Sequence, residues 1–127
     1  MKILLRDINN FFQAYDHISQ NKLDIKFAWT LHKVKDKLEG DLKFYQDEFT
    51  KILLKYSEKD SNGNPVYAED GQSIKLTQGL ENECRDAIAD LESMEKDFVR
   101  EEISVDALPP EMSLSDLDIF SKMLDIK

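Results

Sequence analysis

Apolar residues with a helical spacing in the first half of the chain constrain its fold more than any other feature. They recur at steps of three and four residues, with a mean of about 3.6, which is the period of a straight α-helix. The stripe comprises Phe27, Leu31, Val34, Leu38, Leu42, Tyr45, Phe49, Ile52 and Tyr56. On a helical wheel these residues span only about 80°, so we expect most of the helix surface to face water. The sequence therefore predicts one long amphipathic helix whose apolar stripe needs a partner.

A second apolar stripe with the same spacing supplies that partner. It comprises Leu80, Cys84, Ala87, Leu91, Met94 and Phe98. Between the two stripes the composition shifts to Asp, Asn, Gly, Pro and Ser, with turn signals at Asn62-Gly63 and Asp70-Gly71. We therefore predict an antiparallel helical hairpin over about residues 24–100. Its polar tip comprises residues 58–76, in which Val66-Tyr67-Ala68 and Ser73-Ile74-Lys75-Leu76, on either side of Asp70-Gly71, are predicted to form a small β-hairpin.

The two ends of the chain, residues 1–23 and 101–127, are predicted to form the base of the hairpin. Residues 2–6 fit a short strand, which we expect to pair with a second strand at 102–106. A short helix is expected after the first strand, and another over 115–125. The predicted N-caps of the helices are Asp7, Asp24, Thr77 and Ser115, the last of which forms a capping box with Asp118.

The predicted fold is therefore mainly α, in a single domain over residues 1–127. It consists of a long antiparallel helical hairpin with a β-hairpin at its tip, a short N-terminal helix, a small two-stranded β element at the base and a short C-terminal helix. A chain of this length can bury a modest core without a metal ion or a disulfide.

The long stripe extends beyond its partner. An antiparallel register that places Phe98 beside Leu38 leaves residues 27–37 without a facing helix, over about 16 Å at 1.5 Å per residue. Three stripe residues therefore need other cover: Phe27, Leu31 and Val34. The first helix, the last helix or a second copy of the chain can provide it, so a homodimer is an alternative to cover from within the chain.

Trp29 is an exception on the long helix, because it lies about 200° from Phe27 and points away from the stripe, towards the side that Leu54 also occupies. The favoured interpretation is that the first helix or the C-terminal segment covers it. The alternative is an anchor for a partner protein, a role in which tryptophan is enriched. The candidate partner-binding residues are Trp29, Phe27, Leu31 and Leu54.

Charge argues against two classes of partner. The chain has 26 Asp and Glu residues against 17 Lys and Arg residues, a net charge of −9. Such a surface repels phosphate, and no Lys/Arg stripe with interleaved aromatic residues is present, so we expect binding neither to nucleic acid nor to an anionic membrane. No apolar run approaches the about 20 residues that span a bilayer, which predicts a soluble, cytoplasmic protein.

The polar tip partly matches an EF-hand calcium loop. Position 1 of the loop is Glu58 where Asp is preferred, position 8 is Pro65, and Asp70-Gly71 follows the loop in place of a helix. These departures favour a solvated turn over a calcium site. The candidate ligands of such a site are Glu58, Asp60, Asn62, Asn64 and Glu69.

No other residues form a recognisable catalytic or metal-binding motif. His17 and His32 lack the spacing of a zinc or di-iron site, and Cys84 lies on the second apolar stripe, where we expect a small buried side chain. The sequence contains no Gly-rich phosphate loop, nucleophile elbow or dinucleotide-binding fingerprint. We therefore predict a protein that is not an enzyme and needs no cofactor.

Several segments together suggest a family. They are the opening Met-Lys-Ile-Leu-Leu-Arg-Asp-Ile, the run from Phe49 to Tyr56 into Lys59-Asp60-Ser61-Asn62-Gly63, and the closing Ile103-Ser104-Val105 with Leu114-Ser115-Asp116-Leu117. In their order and spacing the chain resembles a family of small uncharacterised helical proteins encoded by tailed bacteriophages and prophages of Firmicutes. This resemblance implies a phage protein in the cytoplasm of the bacterial host or associated with the virion. It implies no catalytic residues.

Two functions are compatible with these features. The first is a non-enzymatic phage accessory or assembly protein that docks on a virion component or a host protein. The alternative is an acidic inhibitor of a host defence nuclease or a related enzyme, in which carboxylates imitate nucleic acid. Lysines alternate with acidic residues along the long helix instead of leaving a double row of negative charge, which favours the first function.

Overall fold

The structure, a computed structural model, describes all 127 residues and is mainly α-helical, as predicted. The helices are α1 (Leu5–Ile18), α2 (Ile25–Tyr56), α3 (Glu81–Glu92) and α4 (Leu114–Ser121). The strands are β1 (Lys2–Leu4), β2 (Glu95–Asp97), β3 (Glu101–Ile103) and β4 (Leu124–Ile126), and Val105–Ala107 forms a 3-10 turn. The strands make two sheets of two strands each. None of the helices has both the length and the apolar character that crossing a bilayer requires.

The chain divides into two compact units, where the sequence predicts a single domain. The first unit contains Met1–Lys43 and Met94–Lys127, and the second contains Phe44–Ser93. Helix α2 contributes residues to both units. Of the 20 buried apolar residues, only Tyr45, Cys84 and Leu91 belong to the second unit.

Three phenylalanine rings form the centre of the first unit. Phe11 of α1 and Phe27 of α2 each contact Phe120 of α4 edge to face, with ring centroids 5.7 and 5.9 Å apart. All three are fully buried, as are Leu31 and Val34. The N-terminal part of the long stripe is therefore covered from within the chain by α1 and α4, one of the alternatives that the sequence left open.

The strand pairing predicted for the first unit is wrong. Strand β1 pairs antiparallel with β2, which places Ile3 opposite Lys96, and not with residues 102–106. Strand β3 instead pairs parallel with β4, with Glu102 opposite Asp125. Both new partners come from segments in which the apolar pattern predicts helix.

The two helices that were predicted to include β2 and β4 end before those strands begin. Helix α3 ends at Glu92, where the prediction ran to about residue 100, because the backbone carbonyl of Met94 accepts a hydrogen bond from the Leu5 amide at 2.9 Å. Helix α4 ends at Ser121, where the prediction ran to residue 125. In both cases pairing with a distant strand outweighs local helix propensity. Phe98 and Leu124 are buried as a result.

Of the predicted N-caps, Asp24 is confirmed, since its carboxylate accepts a hydrogen bond from the Lys26 amide at 2.8 Å. Asp7 is wrong as an N-cap: it lies in the first turn of α1 and accepts a hydrogen bond from the Leu4 amide at 3.0 Å. Thr77 is also wrong, because its hydroxyl donates to the Ser57 carbonyl at 3.1 Å and α3 begins only at Glu81.

Helix α4 is capped two residues before the predicted Ser115. The hydroxyl of Ser113 accepts a hydrogen bond from the Asp116 amide at 3.1 Å. Ser113 and Asp116 have the same spacing as Ser115 and Asp118, so both pairs fit a capping box. The spacing alone does not distinguish them.

In the second unit, contacts link the C-terminal part of α2 to the chain that follows it, which includes α3. At the end of α2 the Thr77 amide donates to the Tyr56 carbonyl at 2.8 Å. Nearer the start of the second unit, the phenol of Tyr45 lies close to the carboxylate of Glu92. Burial, together with the charge of Glu92, raises the pKa of this phenol.

The segment between these helices is held by backbone hydrogen bonds. The Val66 amide donates to the Glu58 carbonyl, the Glu58 amide to Lys75 and the Lys75 amide to Val66, each at 2.8 Å, so three chain segments close into a ring. The predicted β-hairpin is reduced to isolated antiparallel bridges, one of which joins Tyr67 to Ile74.

Glycines recur every eight residues through this segment. Gly63, Gly71 and Gly79 have φ values of 81, 71 and 91°. This left-handed region is readily accessible only to glycine, so the repeat lets the chain reverse between successive parts of the ring.

Candidate functional site: the outward face of α2

Trp29 is the largest exposed apolar side chain of the first unit. It is 60% exposed, so the prediction that α1 or the C-terminal segment covers it is wrong. Those segments lie on the opposite side of α2, where Phe120 packs against Phe27 of the apolar stripe and Phe11 packs against Phe120. Ile25, one turn earlier, is 81% exposed. An apolar pair four residues apart on one helix face is a frequent feature of protein interfaces and is costly to leave in water.

The indole of Trp29 is held by a neighbour on the same helix. The imidazole of His32 stacks on it with ring centroids 5.6 Å apart and an interplanar angle of 27°. His32 also lies 3.2 Å from a carboxylate oxygen of Asp36. The indole is therefore restrained on one face by an imidazole that Asp36 in turn holds, which lowers the entropy that the indole would lose on binding a partner.

The surroundings of Trp29 differ in charge from the rest of this acidic chain. Lys22 and Lys26 precede and flank it, and neither ammonium forms an ion pair. Further along the helix, Lys33 and Lys37 both bind Glu101 of β3, at 3.3 and 2.5 Å. We define the outward face of α2 as Ile25, Trp29, Lys33, Asp36 and Gly40, with Lys22, Lys26 and His32 at its margin.

Glu101 anchors β3 to this helix. The hydrogen bond from Lys37 lowers the pKa of the Glu101 carboxyl, and although burial opposes this, the hydrogen bond from Lys33 and the charges of both lysines add to it. The net effect is a pKa below the usual value, so Glu101 is ionised at neutral pH and its negative charge is matched locally.

The other candidate partner-binding residues do not join Trp29. Phe27 and Leu31 are buried in the core of the first unit and are not available to a partner. Leu54 is 38% exposed and belongs to the second unit. Ile25 was missed by the sequence reasoning, although its spacing of one helical turn from Trp29 could have indicated it.

The structure does not bring the candidate calcium ligands together. No three His, Cys, Asp or Glu side chains lie close enough to hold a metal ion. Glu58 is 3.4 Å from the ammonium of Lys75, and Asp60 accepts hydrogen bonds from the amides of Asn62 and Asn64 at 2.9 and 3.0 Å. Glu69 is exposed at the next turn. Asp60 thus stabilises the turn that the sequence presented as a metal-binding loop.

A cleft in the first unit offers a second concave surface. Its volume is about 480 Å³, and its lining includes Lys22, Pro109, Pro110 and Met112. His17 and Asp116 face each other across one wall at 3.7 Å. This cleft is open, and no buried side-chain polar atom in its lining lacks a hydrogen-bond partner.

Asp7 is the only buried carboxylate. Burial would raise its pKa, but hydrogen bonds from the Lys122 ammonium at 2.9 Å and the Leu4 amide, with the charges of Lys122 and Arg6, hold the pKa below its usual value. All of these contacts join α1 to α4 or close the start of α1. Asp7 therefore has a structural environment and not that of a general base, which needs a raised pKa.

Cys84 is buried in the second unit, as predicted. Burial raises the pKa of its thiol, which leaves it protonated at neutral pH and a poor nucleophile.

The exposed face around Trp29 is thus the strongest candidate for a functional surface. Comparison with known proteins adds no family to this description: no protein-family model, no curated protein and no solved structure matches the chain.

Proposed function

We propose that this chain is a non-enzymatic phage accessory or assembly protein that acts by binding another protein through the outward face of α2. The observation that carries the proposal is the exposure of Trp29 beside Ile25 on a helix whose opposite face forms the core. Tryptophan is among the residues that contribute most to protein interfaces, and a restrained indole loses little freedom on binding. The proposed partner is a virion component or a host protein.

The resemblance to phage and prophage proteins also suggests a location. We propose the cytoplasm of the infected bacterium, with association with the virion as the alternative. The net charge of −9 supports a protein partner over nucleic acid, which would be repelled.

Affinity purification of the tagged chain from infected cells tests this proposal. We expect virion or host proteins to be retained by the native chain and lost when Trp29→Ala removes the indole. Val99→Ala is the matched control, because Val99 is 79% exposed and lies outside the outward face of α2. Equal retention by the Trp29→Ala variant would contradict the proposal.

The alternative function, inhibition of a host defence nuclease, has one observation in its favour. The second unit carries eleven acidic and five basic residues, so six of the nine net negative charges lie there. On α3, Glu83, Asp86 and Asp90 are exposed and form no ion pair. A test variant replaces three acidic residues of α3 with amides: Glu83→Gln, Asp86→Asn and Asp90→Asn. This alternative is favoured if a nuclease is recovered with the native chain and with Trp29→Ala but is lost with the triple variant.

A further inference from the structure

Gly40 is an unexplained residue in the interior of α2. Glycine at an exposed position inside a helix costs about 1 kcal/mol relative to alanine. A Cβ atom at Gly40 would meet nothing within 4 Å, so no contact within the chain requires glycine there. Glycine in a helix also allows another molecule to approach the backbone closely.

Gly40 belongs to a stripe on the outward face of α2. Ile25, Trp29, Lys33, Asp36 and Gly40 follow one another at steps of four, four, three and four residues, which places them along one side of the helix. The stripe therefore contains a large exposed side chain near one end and an open space near the other.

We infer that this stripe packs against the same stripe of a second copy of the chain, with the two α2 helices antiparallel. The inference goes beyond the proposed function, because it gives the same surface a second occupant, which a virion component or host protein would have to displace in order to bind there. A two-fold axis makes each contact occur twice. If the indole of Trp29 lies over Gly40 of the second copy, the axis passes midway between these residues.

That register has a consequence for charge. The midpoint between Trp29 and Gly40 is also the midpoint between Lys33 and Asp36. The same axis therefore places the Lys33 ammonium of each copy opposite the Asp36 carboxylate of the other. One choice of register matches a bulky residue with a gap and a positive charge with a negative one.

The ion pairs within one chain leave Lys33 and Asp36 able to pair across the dimer. The Asp36 side chain is 59% exposed, and its partner in the chain is His32. Lys33 lies 3.3 Å from Glu101, but Lys37 binds the same carboxylate at 2.5 Å and would keep it paired if Lys33 turned to Asp36. The stacked His32 holds the indole in place for the contact.

Sedimentation equilibrium of the full chain, from about 1 μM to about 1 mM, tests the inference. We expect the mass to rise from 14.8 kDa towards twice that value. Trp29 is the only tryptophan, so its emission should shift to shorter wavelength as the dimer forms. Gly40→Gln should fill the space below the indole and raise the dimer Kd at least about tenfold.

The Gly40→Gln variant also separates association from folding. The monomer should be at least as stable as the native chain, since glutamine has the higher helix propensity. Trp29→Ala should weaken the dimer similarly, and Val99→Ala should leave the Kd unchanged. Asp36→Lys should weaken association by placing two ammonium groups together, and adding Lys33→Asp should restore it if the register is correct.

Two results would overturn the inference: a monomer at every concentration, or a dimer whose Kd is insensitive to both Gly40→Gln and Trp29→Ala. Neither result contradicts the proposed function, because that function is tested by the retention of other proteins through Trp29. A chain that stays monomeric but retains a partner through Trp29 refutes the dimer alone. A dimer that retains no other protein refutes the docking role alone.

Discussion

The two compact units of this chain are stabilised in different ways. The first unit buries 17 of the 20 buried apolar residues, and its centre is a cluster of aromatic rings from three helices. The second unit buries few side chains fully and relies on backbone hydrogen bonds, turn-forming Asp residues and glycines with positive φ. One long helix thus takes part in two kinds of structure: four of its stripe residues, from Phe27 to Leu38, are buried in the first unit, whereas only Tyr45 of the stripe is buried in the second.

This difference indicates where each unit is sensitive to mutation. A core that depends on packing loses stability when a large buried side chain is truncated. A segment that depends on turns loses stability when a backbone conformation becomes strained. The following substitutions test that distinction.

The largest effect is expected for Phe120→Ala, because Phe120 contacts both Phe11 and Phe27 and is fully buried. The free energy of unfolding should fall by about 3–5 kcal/mol, measured by urea denaturation followed by circular dichroism. Val99→Ala, at an exposed site, should change it by less than about 0.5 kcal/mol. A loss below about 1 kcal/mol for Phe120→Ala would mean that the aromatic cluster is not the centre of the core.

A smaller effect is expected for Asp7→Asn, which removes the buried charge that Lys122 and the Leu4 amide stabilise. The loss at pH 7 should be about 1–3 kcal/mol. Since the pKa of Asp7 is lower in the folded chain than in the unfolded one, its contribution is complete above the unfolded pKa of about 4 and disappears as the pH falls through the folded value.

Urea titrations between pH 7 and pH 2 check this dependence. Relative to the native chain, the Asp7→Asn variant should lose less stability on acidification. If the two curves stay parallel, the ion pair of Asp7 with Lys122 contributes nothing to acid sensitivity.

The smallest effects are expected for two glycine substitutions of opposite sign. Gly71→Ala places a Cβ at a φ of 71° and should destabilise the second unit by about 1 kcal/mol. Gly40→Ala lies in open space on a helix and should stabilise the chain by about 1 kcal/mol. Thermal melts at low concentration measure both. If Gly71→Ala also raised the melting temperature, the positive φ at Gly71 would not be what makes glycine necessary there.

Prediction from the sequence succeeded where a pattern extends over many residues. The apolar stripe from Phe27 to Tyr56 identified α2, because a helix of this length repeats its signal many times. It located β1 and approximately β3, but it failed for β2 and β4, whose identity as strands depends on a distant partner. Nothing local in Glu95–Asp97 distinguishes a strand that pairs with β1 from another turn of α3.

The candidate site was predicted only in part. Trp29 was recognised as lying off the stripe, but its exposure depended on the side of α2 that α1 and α4 cover. The significance of Gly40 also required the structure, since a glycine in a helical pattern has several explanations until its surroundings are known. The polar tip partly matched a calcium loop because Asp, Asn and Gly favour turns and metal-binding loops alike.

Native-state hydrogen exchange compares the two units most directly. Amides of α1, and of α2 within the first unit, should exchange through openings close in free energy to global unfolding. Amides of residues 57–80 should exchange through smaller, local openings. Phe120→Ala should accelerate the first group strongly, and Gly71→Ala should accelerate the second group alone. Protection of residues 57–80 equal to that of α1, or a uniform response to both substitutions, would contradict the view that packing stabilises one unit and backbone turns the other.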